Sequence, residues 1–125
     1  MQRLILLFLS SLLLVGCVNP MTKGEVNNAV YQPLPENYQQ RIKDIVLITL
    51  KDPDSAKFHF FDPKKSYSAS SKHFAYVVPV GVNAKNSYGG YTGFQMSYYV
   101  YYEGRFKDVT DGVSWGGIKW SEDVK

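Results

Sequence analysis

Hydrophobic and polar positions alternate with three different rhythms along this chain. From Leu4 to Gly16 the run "LILLFLSSLLLVG" is apolar throughout except for Ser10 and Ser11. From Glu36 onward, Tyr38, Ile42, Ile45 and Thr49 recur at steps of three or four, which predicts an amphipathic helix. Val46, Leu47, Ile48 and Leu50 widen its apolar stripe, so the C-terminal half is expected to be the more deeply covered. Pro35 and Glu36 suit its first turn, and "KDPDSAKF" ends it, because Pro53 disfavours helix at Asp52.

Beyond Lys57 the interval falls to two. "KFHFF" (57–61) is a first strand and "HFAYVVPVGVNA" (73–84) a second, with Phe74, Tyr76, Val78, Val80 and Val82 on one face and Ala75, Val77, Pro79 and Gly81 on the other. Pro79 cannot donate to a ladder, so an edge or a bulge is expected there. "GFQMSYYVYYEGRFKDVTD" predicts a hairpin turning at Glu103-Gly104. Phe94, Met96, Tyr98, Val100 and Tyr102 share one face of its strand. If that face is the core, Tyr99 and Tyr101 point outward; the alternative is that both faces are covered, one by the helix and the other by the tether or the "WGGIKW" tail. The expected fold is α+β in two layers, one N-terminal helix packed on a small antiparallel sheet of three to four strands.

The opening apolar run is too short to cross ~30 Å of hydrocarbon as a helix, and with Arg3 before it the pattern fits a removable export signal over residues 1–16. The tetrapeptide "LVGC", Leu14 to Cys17, resembles the lipobox of bacterial lipoproteins. The resemblance implies that the chain is cut before Cys17, the thiol joined to diacylglycerol and the new amine acylated, for example with palmitate. In that family an Asp directly after the cysteine favours the inner membrane. Here the residue is Val18, which implies a periplasm-facing anchor in the outer membrane. Cys17 is the only cysteine, so the exported domain holds together without disulfides. Several lipid chains, at ~0.8 kcal/mol per buried methylene, give lasting attachment.

Residues 17–35 follow as the lipidated cysteine and a flexible tether, since "VNPMTKGEVNNAVYQPLP" is rich in Pro, Asn and Gly; a strand at Ala29–Tyr31 docking on the domain edge is the alternative. Residues 36–125 then form a single domain. Fourteen Lys and Arg, one fewer without Arg3, stand against eleven Asp and Glu. That mild, scattered balance gives no reason to expect a nucleic-acid partner.

Between the second and third strands lies "NAKNSYGGYTGF" (83–94), whose Asn86, Gly89, Gly90 and Gly93 suit the positive backbone angles of turns. A loop of this length either shapes the fold or contacts a ligand, and its glycines match neither a P-loop nor a dinucleotide fingerprint. "LKDPDSAKF" (50–58) together with "VNAKNSYGGYTGF" (82–94) resembles a group of small bacterial exported proteins and lipoproteins carrying DPxSAKF and VNAKNxxGGYxGF elements. A cysteine commonly precedes the asparagine element in that group. This chain has Pro79 and Val80 in that neighbourhood, so no disulfide is implied, and no activity comes with the resemblance.

Chemistry-bearing residues are sparse. "GVSWG" (112–116) matches G-x-S-x-G, but the remaining residues include no histidine to complete a triad. His59 and His73 lack companions at metal-ligand spacing. Asp108, Asp111, Glu122 and Asp123 suggest a solvated rim. No catalytic residue, metal or cofactor is expected. The expectation is therefore a lipid-anchored, non-enzymatic envelope protein with a structural or adaptor role. A peptidoglycan or glycan-binding module using Asn86, Tyr88, Tyr91, Tyr99 and Tyr101 is the first alternative, and an accessory subunit of an envelope-spanning secretion system the second.

Overall fold

A computed structural model describes residues 20–125. Cys17 and the leader lie outside the described residues. Within them the order is α1 (Lys23–Asn28), α2 (Tyr38–Thr49), β1 (Lys57–Phe60), β2 (Lys64–Ser68), β3 (Phe74–Asn83), β4 (Gln95–Tyr102), β5 (Arg105–Asp108), α3 (Thr110–Ser114) and β6 (Ile118–Trp120). The class is α+β, as the change of period predicts. Its counts correct the expectation: six antiparallel strands replace three to four, and three helices replace one. The added elements are short, of three to six residues, and too brief to show a period of their own.

The sheet runs β5-β4-β3-β2-β6, with β1 also on β3. β1 and β2 share one side of β3: Phe60 pairs with Val80 and Lys64 with Val77. Three residues between them therefore face two, which is a bulge. The Phe61 N–H reaches the Pro79 carbonyl there at 3.0 Å. A strand residue points its N and O to the same side, so the missing Pro79 N–H falls where the ladder is already interrupted. The bulge expected from Pro79 is present, within the central strand rather than at an edge.

One face of the sheet is covered by residues 20–50. Ile42 and Val46, four apart on α2, pack against Val78, Val80 and Tyr99, with Tyr38, Leu50, Phe58, Phe60 and Phe106 around them. Each such fully buried aliphatic side chain contributes about 1.5–3 kcal/mol. The seam is narrower than the sequence suggests. Ile42 is 0% exposed, but Ile45 is 36% and Ile48 86%, so the C-terminal half of α2 is not the more deeply covered.

The stretch expected as a flexible tether is docked over its described part. Thr22 and Glu25 form a reciprocal capping box that starts α1. Tyr31 packs edge-on against Phe74 and shares a 2.7 Å hydrogen bond with the Ser121 hydroxyl, while Leu34 joins the core. The alternative of a strand at Ala29–Tyr31 on the domain edge is not met: the segment forms no strand, and Tyr31 lies on the sheet face against Phe74 and Tyr76.

Candidate functional site

The 83–94 loop is built to hold itself. The Asn86 side-chain oxygen accepts the N–H groups of Tyr88 (2.9 Å) and Gly90 (3.2 Å), and that of Asn83 accepts the Gly93 N–H (3.2 Å). Gly93 has φ +92°, which an L side chain adopts only with strain. The loop is also tied to the short 3-10 turn Pro53–Ser55. The Ser55 hydroxyl donates to the Asp52 carbonyl (2.7 Å) and accepts the Lys85 N–H (2.9 Å), and its carbonyl accepts the Tyr91 hydroxyl (2.9 Å). Lys57 and Lys85 place their ammonium groups 4.5 and 5.6 Å from the Tyr91 ring centre. Asn86 and Tyr91 thus serve the loop's own geometry, and Tyr88, 96% exposed, stands alone at the tip.

The strand tyrosines are reversed relative to expectation. Cross-strand partners share a face, and Tyr99 pairs with Val78 and Tyr101 with Tyr76, both on the helix side. Tyr99 is 5% exposed and Tyr101 8%, with the Arg41 guanidinium of α2 lying 5.7 Å from the Tyr101 ring centre. Burial, helped by nearby Asp108, pushes the Tyr99 hydroxyl pKa above the usual tyrosine value. The five candidates Asn86, Tyr88, Tyr91, Tyr99 and Tyr101 do not converge on one surface.

The outward set is instead Phe94, Met96, Tyr98, Val100 and Tyr102, on the face away from α2. At the β1 end of that face Phe94 lies against Gly81, where an added Cβ would meet its Cδ1 at 3.3 Å, and His59 stacks edge-on to Phe61 at 4.5 Å. In the middle Tyr98 meets Trp120 at 6.0 Å, and Lys64 sits 4.6 Å from the Trp120 ring. At the other end an open groove of about 750 Å³ runs over Ala75 and Val100, walled by Ile118 and Val109. His73 stacks on Tyr102 at 5.1 Å at its mouth, and Arg105 and Lys107 give it a basic rim.

Among the described residues only α3 and the tail shelter this second face, and Phe61, Phe94, Met96 and Tyr102 are between 38% and 56% exposed. Sequence reasoning missed the groove because apolar residues on β4 were assigned to the core. The usable signal was the hairpin register: a turn at Glu103-Gly104 pairs Tyr101 with Phe106 and Tyr102 with Arg105, and the second pair reads as solvent-facing.

The remaining chemical candidates stay separate. Ser114 ends α3, its hydroxyl bonded to the Thr110 carbonyl at 3.0 Å, rather than standing at a strand-to-helix elbow. His59 and His73 lie toward opposite ends of the open face. Among the described residues no group of three or more His, Cys, Asp or Glu side chains is arranged to hold a metal ion. Comparison with protein-family models, curated proteins and solved structures gave no match for this chain.

Proposed function

We propose that this protein is a lipid-anchored, periplasm-facing, non-enzymatic adaptor of the outer membrane that takes a protein partner on the open face of its sheet. The lipobox-like "LVGC" supports the anchor, and Val18 supports the outer membrane. The observation that carries the adaptor role is the asymmetry of the sheet. One face is sealed by α2, while the other keeps aromatic and apolar side chains in contact with solvent beside a basic-rimmed groove. Large, amphipathic rings that are half-exposed and already ordered are the side chains that carry most energy at protein contacts.

Photo-crosslinking in intact envelopes tests this. A crosslinkable residue at Tyr102 or Met96 should give an adduct of defined mass, and one at Ile48, on the outer side of α2, should not. Equal adducts from all three positions would defeat the reading. Retention of the protein on purified sacculi, abolished by Tyr102→Ala, would move it to the glycan-binding class instead.

A further inference from the structure

We propose that the surface around α1 rests on acidic phospholipid headgroups, so that the anchored domain lies with its α1 side on the leaflet rather than swinging on a tether. The inference rests on the lipidation of Cys17 proposed above. Pro20 follows Cys17 by three residues, a span of at most ~10 Å of extended chain. From there the chain is held to the domain: α1 is capped by Thr22 and Glu25, and Tyr31 is bonded to Ser121. A lipid at Cys17 therefore enters the membrane within about 10 Å of the surface formed by Pro20, Met21 and their neighbours, close to the ~8 Å distance over which charges act in physiological salt.

That surface is basic. Lys23, Lys72, Lys119 and Lys125 surround Pro20 and Met21 together with Asp123, and Lys65 extends the group, its ammonium 5.1 Å from the Tyr31 ring centre. The opposing carboxylates are Asp123 and Glu25. Glu25 already accepts the Thr22 N–H at 2.8 Å, which holds its carboxyl below the usual value, with Lys72 assisting. Nearby Glu122 is paired with Lys64 at 2.9 Å. Five lysines against two carboxylates leave an excess of positive charge larger than that of the mature chain as a whole, so the rest of the domain is close to neutral or acidic. Each lysine brought to an acidic leaflet raises the bound population about fivefold.

The orientation has a further result. Tyr67 and Lys119 are cross-strand partners on the helix side of β2 and β6, whereas Ser68 and Ile118 partner on the groove side. Laying the lysines on lipid therefore turns the open face away from the membrane, toward a partner.

The test uses the lipidated protein in vesicles of phosphatidylcholine alone or of an equimolar mixture with phosphatidylglycerol. Amine-reactive labelling of Lys72 and Lys119 should slow about threefold or more in the mixture, and high salt should restore it. Lys51, bonded to Ser87 at the far loop, should label alike in both. The pair Lys72→Glu and Lys119→Glu, at exposed positions, should fold normally and lose the lipid dependence at the remaining lysines. Equal labelling in the two vesicles, or slowing of Lys51 as well, overturns the proposal. Mass spectrometry of Cys17 separates the two claims. If the thiol is bare the anchor fails, and sedimentation of the unmodified protein with the same vesicles decides whether the surface binds acidic lipid.

Discussion

Tyr91 donates its hydroxyl to the backbone carbonyl of Ser55 across 2.9 Å and thirty-six positions of sequence. Segments 50–58 and 82–94 are therefore one structural unit, a turn and a loop clamped together at the end of the sheet. Ser55→Ala removes the hydroxyl that accepts the Lys85 N–H and should cost about 1–2 kcal/mol. Hydrogen exchange should quicken at the Lys85 amide in this variant, while Val78, which opens only with the whole domain, loses no more protection than the drop in global stability. A loop as protected as in the parent would mean the clamp is not needed.

The α2 seam makes a sharp contrast available. Ile42→Asp buries a carboxylate among Val46, Val78 and Val80 and should abolish cooperative melting, because the penalty of several kcal/mol matches a small domain's whole stability. Ile48→Asp, at a position 86% exposed, should shift the melting midpoint by only a few degrees. Thermal denaturation followed by circular dichroism distinguishes them, and similar behaviour of the two variants would contradict the seam.

Tyr99 adds a pH signature. Its pKa is raised in the folded state, chiefly by burial, above the ordinary value of 10.0. The unfolded chain then loses this proton first as pH rises, so the contribution of Tyr99 is intact below pH 10 and is lost as pH climbs through the folded pKa. Tyr99→Phe should leave stability near neutral pH little changed and flatten the alkaline limb of a urea-denaturation series. Parallel limbs in parent and variant would refute the assignment.

The β4–β5 turn is locally strained. Glu103 has φ +51° and Gly104 φ +78°, the pair of left-handed residues that Asn-Gly fills most readily in a two-residue hairpin. Arg41 holds this turn by donating to the Gly104 carbonyl at 2.9 Å. Glu103→Asn should raise stability by about 0.5 to 1 kcal/mol, read from the denaturant midpoint at constant slope. A lower midpoint would show that the Glu103 side chain has a compensating role.

Much of the architecture was legible because its signals are local. Pro35 and Pro53 bracket α2, the β3 alternation sorts its residues onto two faces, Pro79 marks a bulge, and Glu103-Gly104 marks a hairpin. The orientation of β4 was not, since Gln95 and Ser97 share the helix side with Tyr99, while Phe94 and Met96 face solvent. Apolar character there tracks the open face, against the usual rule. Gln95 and Ser97 line a shallow cleft beside Thr49 and Leu50 at the end of α2, where polar groups stay in reach of water. The docking of Tyr31 was hidden for another reason. It depends on Phe74 and Ser121, partners distant in sequence that no pattern in an Asn- and Pro-rich segment announces.

The interruption at Phe61–Pro63 opposite Pro79 also bears on how this molecule avoids pairing with copies of itself. A chain so rich in valine and tyrosine would, with one long straight outer strand, offer neighbouring copies a template for cross-β growth. Among the described strands the kink leaves only the four residues of β1 as a border on that side of β3, because β6 covers β2, and Pro63 cannot donate where the two meet.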